Sequence, residues 1–230
     1  MSYKEKIYNK VKEIIDTKFE VEDVEYVPDI KNTKLTFGNK GLRFEGTVLF
    51  LDMRGSTEIL NNHNRPVVAK INMAFFHTIV TLANSLGGHV RSFNGDGILV
   101  FFQGTTKQSL SNAVKAAMKI KYALTDSRLG INTLLEKYST IDFGIGIDDG
   151  KILCTKVGKG GDSNTQDLIW VSNAVNKSVK IGDQRKSPYH IGISSYVYSN
   201  LTDEVKFHTK KNDWGRSEEH TSELQSPNTI

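Results

Sequence analysis

Cysteine is nearly absent from this chain: Cys154 is the single one in 230 residues. One thiol cannot close an internal disulfide, so a disulfide-framed secreted scaffold is excluded and the cytoplasm is the expected location. Long apolar runs are missing too. No uninterrupted apolar stretch has the length of a bilayer-spanning helix, and no membrane partner is expected. The first residues, Met1-Ser2-Tyr3-Lys4-Glu5-Lys6, contain no apolar signal core. Clustered charge is the third absence. The net charge is +4 and the pI about 9.0, yet the lysines are scattered. That pattern argues against a nucleic-acid partner and suits a local basic site for a polyanionic small ligand. Internal repeats and low-complexity stretches are also lacking.

What is present suits one α/β domain with a small extra element: 38% hydrophobic and 24% charged residues. Ile7, Val11, Ile14 and Ile15 place an amphipathic helix over residues 4 to 16. An acidic, turn-rich connector follows, so residues 1–41 read as an N-terminal arm that packs on the domain or on a partner chain. Residues 46–52 read as a buried strand. Ser56 caps a short helix, and Pro66 opens a longer one running to Leu86. Residues 89–103 form a hairpin with Asn-Gly and Asp-Gly at its tip. Residues 108–137 are mainly helical. Two strands are expected next, Thr140 to Ile147 and Ile152 to Val157, joined at Asp148-Asp149-Gly150. A polar loop runs from Gly158 to Gln166. Leu168 to Val171 is a short strand, Ser172 to Gly182 a helix, and residues 189–208 give strand, short helix and strand. The order β-α-β-β-α-β predicts a ferredoxin-like α+β domain over residues 42–215.

Residues 216–230 look foreign. Arg216 to Ser226 resembles the conceptual translation of a sequencing adapter, follows Trp214-Gly215 abruptly and has no hydrophobic period. Without this tail the chain carries +6.

Two aspartates carry the chemistry. Asp52 ends the apolar run Thr47 to Leu51, just before Arg54-Gly55-Ser56-Thr57. Asp96 sits in Asn94-Gly95-Asp96-Gly97, between two strands. Carboxylates on neighbouring strand ends make a hard-oxygen site for Mg²⁺ or Mn²⁺. Gly55, Ser56 and Thr57 open a helix, where free N–H groups and the helix dipole suit phosphate. Asn176 and Lys180 lie four apart on one helix face, an amide and a cation able to orient a ribose and balance phosphoryl charge. Taken singly, each motif has a structural alternative: a helix cap, a tight turn, a solvated helix face.

Their order is more specific. Leu49 to Thr57, Gly87-Gly88 through Gly95-Asp96-Gly97, Phe143 to Ile147, and Ala174-Val175-Asn176 follow one another as in the class III nucleotidyl cyclases, which the chain resembles over roughly Phe44 to Phe207. The resemblance implies a class III catalytic domain, behind the N-terminal helical arm, and two divalent metal ions. Asp52 and Asp96 would be the metal aspartates, and the Met53 carbonyl would complete a metal shell. Gly55 to Thr57 would cradle the triphosphate, Asn176 would orient the ribose, and Lys180 would stand where the family has an arginine. A lysine supplies the charge without the bidentate contact. The family's late triphosphate-binding lysine has no assigned counterpart here. The resemblance also implies a head-to-tail homodimer with shared sites, aspartates from one chain meeting asparagine and cation from the other.

At the positions where purine cyclases read the base, this chain has Ser92 and Ile169. Neither offers a purine-reading pair, and hydrogen bonds to a base edge are what give strong discrimination. Phe50, two residues before Asp52, shares its strand face and could stack on a base or equally be a plain core residue. Trp170 could narrow the pocket or be plain core. A small, aromatic-flanked pocket favours a pyrimidine, and the pattern resembles the Pycsar pyrimidine cyclases. That resemblance implies cyclic CMP or cyclic UMP made from CTP or UTP in anti-phage defence, with the product sensed by a separate cyclic-nucleotide-binding effector. The alternatives are an adenylate or guanylate cyclase, and a degenerate nucleotide-binding module without turnover.

Overall fold

The computed structural model describes residues 1–158, 165–207, 210–211 and 217–218. The chain begins with α1 (Tyr3–Asp16) and β1 (Glu20–Asp23), then β2 (Lys40–Arg54), α2 (Ser56–Asn62) and α3 (Arg65–Ser85). The hairpin β3 (Gly88–Asn94) and β4 (Gly97–Gln103) follows, then α4 (Lys107–Thr125), α5 (Ile131–Leu135) and β5 (Asp142–Gly158). The remainder comprises β6 (Gln166–Val171), α6 (Asn173–Asp183), β7 (Ile191–Ile193), α7 (Ser195–Ser199) and α8 (Asp203–Phe207). A separate pair of two-residue strands joins 210–211 to 217–218.

The main sheet runs β3-β4-β2-β5-β6, with β1 added parallel to β2 and β7 parallel to β5. Its centre is the expected antiparallel βαββαβ core. Side chains alternate across β2, as the pleat requires. Leu49, Leu51 and Met53 face the core shared with Ile71, Phe75 and Ile79 of α3 and Leu110, Val114 and Ile120 of α4. Phe44 and Val48 face the other side, with Phe101, Ile152, Ala174 and Val175 of α6, and Val27 of the arm. Both faces are covered, which is why residues 47–51 read as an unbroken apolar run. By length and composition α3 could cross a membrane, but Ile71, Phe75, Ile79 and Ala83 are fully buried in this core.

Three elements differ from the sequence reading. β2 starts six residues before the expected strand, because Leu42 and Phe44 are buried while Arg43 and Glu45, alternating with them, are exposed. β5 is one strand of 17 residues rather than two joined by a turn. Asp148, Asp149 and Gly150 stay in register with Val48, Thr47 and Gly46, so the long β2 ladder holds the Asp-Asp-Gly stretch extended. The last expected strand is instead α8. Thr202 starts it, its carbonyl accepting from the amides of Val205 and Lys206 at 3.0 Å each, and Glu204 pairs with Lys115 of α4 at 3.1 Å.

The arm meets the sheet through β1 and through Arg91, which donates to the carbonyls of Pro28 at 2.6 Å and Val27 at 3.2 Å. α1 carries a complete capping box from Ser2 and Glu5 but buries no residue within one chain. Most of the polar loop expected between Gly158 and Gln166 lies outside the described residues, as does the foreign-looking tail apart from Ser217–Glu218.

Candidate active site

Asp52 lies two residues from the end of β2, directly across the ladder from Gly97 of β4. Asp96 occupies the β3–β4 turn, and its carbonyl accepts from the Met53 amide at 3.3 Å. The two aspartates are thus held side by side by the sheet itself. Gly97 makes the approach possible: a Cβ there would sit 3.0 Å from Asp52 Oδ1. Asp52 is held at about 6, well above the ordinary carboxylate value, chiefly by burial and next by the charge of Asp96; Arg54 opposes the rise.

Gly55, not the expected Ser56, is the N-cap of α2; it takes φ +70°, a conformation that favours glycine, and the helix starts without any side-chain cap. The opening amides of that helix, at Ser56 and Thr57, therefore have no side-chain acceptor at the N-cap. They follow Asp52 and Met53 by only a few residues.

Phe50 and Ser92 belong to one cross-strand row. Phe50 pairs with Leu99, and Leu99 pairs with Ser92. Residues opposite one another on antiparallel strands share a face, so Phe50, Ser92 and Asp52 all look out of the same side of the sheet. Phe50 is partly buried, and its ring packs so close to α6 that a Cβ on Gly182 would lie 3.0 Å from it.

The remaining candidates lie on α6 and β6. Asn176 and Lys180 are exposed on α6, and neither bonds to Asp52 or Asp96 among the described residues. Ile169 is exposed on β6, which leads straight into α6. It pairs with Thr155, whereas Asp52 pairs with Gly144 of the same strand. Eleven residues of β5 separate those points, roughly 36 Å at strand spacing. One chain therefore assembles Phe50, Asp52, Met53, Gly55, Ser56, Thr57, Ser92 and Asp96 as one group. Asn176 and Lys180 stand apart from it on the exposed face of α6, and Ile169 on β6. Trp170 points to the opposite face from Ile169, stacks on Phe101 at 4.5 Å between ring centroids and is a core residue.

Arg54, to which the motif assigns no role, bonds Asp52 and two backbone carbonyls at the end of α6. Its Nη1 reaches Asp52 Oδ2 at 2.8 Å, its Nη2 the Gly182 carbonyl at 2.5 Å, and its Nε the Arg185 carbonyl at 3.1 Å. The available signal was a cation two residues beyond Asp52, hence on the same strand face.

No protein-family model matches the chain. It is similar to a uridylate cyclase of Xanthomonas perforans, 28% identical over 93% of this chain and 90% of that one. It is also similar to a cytidylate cyclase of Staphylococcus aureus, 24% identical over 59% of this chain and 38% of that one. Among solved structures, the guanylyl cyclase Cya2 superposes with a TM-score of 0.62 and 25% identity, covering 74% of this chain and 83% of that one.

Proposed function

We propose that this chain, a class III nucleotidyl cyclase in fold and similar over most of its length to a uridylate cyclase, converts UTP to 3′,5′-cyclic UMP and pyrophosphate. The observation that carries the reading is the pair Asp52 and Asp96, held together at the strand ends beside a partly buried aromatic and an uncapped helix start. UTP is preferred to CTP because similarity to the uridylate cyclase spans far more of the chain than similarity to the cytidylate cyclase.

The donor set fits hard divalent cations. Two carboxylates and the Met53 carbonyl offer only oxygen, and Asp96 already raises the cost of ionising Asp52, a repulsion that a cation relieves. Two ions, Mn²⁺ or Mg²⁺, would be held by Asp52, Met53 and Asp96. Bound there, they supply Lewis-acid stabilisation of the charge on the reacting oxygens. The ribose 3′-hydroxyl oxygen attacks the α-phosphorus in line, gives its proton to solvent water, and displaces pyrophosphate. Gly55, Ser56 and Thr57 present amides to the phosphates. Phe50 stacks on the base, with Ser92 and Ile169 lining its edge without a purine-specific hydrogen-bond pair. Asn176 holds the ribose, an orienting role, and Lys180 balances charge at the α-phosphate.

The stretch of β5 between the partners of Ile169 and Asp52, roughly 36 Å at strand spacing, favours a head-to-tail homodimer, in which the aspartate group of one chain faces Ile169 and the exposed face of α6 of its partner. On the same reading the enzyme is cytoplasmic, acts on a free nucleotide rather than on nucleic acid or membrane, and signals in anti-phage defence through a separate effector. Residues 1–41 serve as an arm on the catalytic domain, and residues 216–230 are not native. Asp52→Ala and Asp96→Ala test the reading. Each should abolish cyclic UMP formation with Mn²⁺ while circular dichroism stays that of the parent protein. Full turnover in a folded Asp52→Ala protein overturns the metal assignment.

A further inference from the structure

One guanidinium touches three parts of the molecule. Arg54 of β2 donates to the Asp52 carboxylate, to the Gly182 carbonyl in the last turn of α6, and to the Arg185 carbonyl just beyond it. Asp183 adds a longer ion contact at 3.8 Å. The last carbonyls of a helix lack intrahelical partners and carry partial negative charge, so a cation there both caps the helix and is held by it. Gly144 on β5 leaves the room: a Cβ there would lie 2.6 Å from Arg54 Nη2. The α6 helix that Arg54 caps is the one carrying Asn176 and Lys180, and α6 lies flat on β5 with Ala174, Val175, Ser178 and Ile181 buried.

We infer that Arg54 is a positioning residue, a clip that ties the metal-binding carboxylate to the helix bearing the ribose and phosphate groups. The inference rests on the cyclase reading above. Two consequences follow. Arg54 occupies Asp52 Oδ2, so it aims that carboxylate while competing with a cation for it. Arg54 also fixes the C-terminal end of α6. In a head-to-tail dimer, α6 serves the partner's aspartates, so the clip connects one site to the other rather than closing a single site. The planar fork is essential, because a lysine ammonium cannot serve three acceptors spread across two elements in one plane.

Arg54→Met and Arg54→Lys test this by splitting metal binding from turnover. Free Mn²⁺ is titrated by electron paramagnetic resonance, and turnover of UTP is measured separately. With the competing cation gone, Arg54→Met should bind Mn²⁺ several-fold more tightly, while kcat falls roughly tenfold as the capped helix end is released. Arg54→Lys should keep parental Mn²⁺ affinity and still lose kcat. If Arg54→Met does not fold, the Arg54→Lys split carries the test. Unchanged or weaker Mn²⁺ binding in folded Arg54→Met, or full kcat in Arg54→Lys, overturns the inference.

Mixed dimers separate it from the reading beneath it. Asn176→Ala and Asp52→Ala chains, each inactive alone, should regain one site when mixed. Adding Arg54→Met to the Asp52→Ala chain should then lower kcat without altering Mn²⁺ dependence. Adding it to the Asn176→Ala chain should shift Mn²⁺ dependence. Identical effects from both placements contradict a clip. No recovery in the starting mixture removes the shared-site reading, and the Mn²⁺ titration of Arg54→Met alone still decides whether Arg54 competes for Asp52.

Discussion

Gly97 faces Asp52 across the β2–β4 ladder, and a methyl group at Gly97 would press on the carboxylate at 3.0 Å and on the Phe50 ring at 3.3 Å. Its backbone is ordinary strand, so alanine is not conformationally forbidden there. Gly97→Ala should therefore move the carboxylate without unfolding the protein. The expected result is a roughly tenfold or larger loss in kcat/KM, because small displacements of a positioned group are costly. Stability in urea should change by no more than about 1 kcal/mol, as the stiffer unfolded chain offsets local crowding.

Phe50 gives a specificity prediction. Its ring packs against α6 and lies in one row with Ser92. Phe50→Ala should enlarge the base pocket and remove the stacking surface. Turnover of UTP should fall, and the preference for UTP over ATP and GTP should drop by roughly tenfold, the scale of a pocket built on shape rather than on hydrogen bonds. An unchanged nucleotide preference would place the base elsewhere.

Asp149 gives a stability prediction away from the site. Burial first, and the neighbouring Asp148 second, lift its carboxyl from 3.8 to about 6 in the folded chain. An acid with a raised folded pKa costs stability while it is ionised. That cost is present above the folded pKa, shrinks as pH falls through about 6, and is gone below the unfolded value. Asp149→Asn should thus stabilise the protein by about 1–3 kcal/mol near neutral pH, an upper range given its partial exposure. Urea melts of both proteins between about pH 8 and about pH 5 should show the gap closing as the parent gains protons. A gap that widens toward acid would reverse the sign and reject the assignment.

The sequence made much of this architecture readable, for identifiable reasons. The hairpin was legible because Asn-Gly and Asp-Gly demand a tight turn between apolar runs. The helices α3 and α6 were legible because Pro66 and Ser172 mark their starts. The Asp-Asp-Gly stretch misled, since turn composition was weighed without knowing that β2 extends far enough to keep it straight. The fate of residues 203–207 depended on packing against α4, a contact distant in sequence. Within the site, the pairing of Asp52 with Asp96 could be anticipated from two strand ends. The clip made by Arg54 could not, because its partners Gly182 and Arg185 lie more than a hundred residues away. The closeness of α6 to β5 was also hidden in plain glycines. Added carbon at Gly146 would overlap the Ser178 carbonyl and the Gly182 amide. Gly146→Ala should accordingly lose about 3 kcal/mol or more, as overpacking against backbone does when nothing can give way.

The central claim is the substrate. Purified protein incubated with Mn²⁺ and each of UTP, CTP, ATP and GTP, followed by mass analysis of the nucleotides, tests it most directly. Cyclic UMP with equimolar pyrophosphate, exceeding every other cyclic product and absent from the Asp52→Ala protein, is the predicted result. Cyclic AMP or cyclic GMP as the main product, or triphosphate binding with no cyclic product from any of the four, would contradict it.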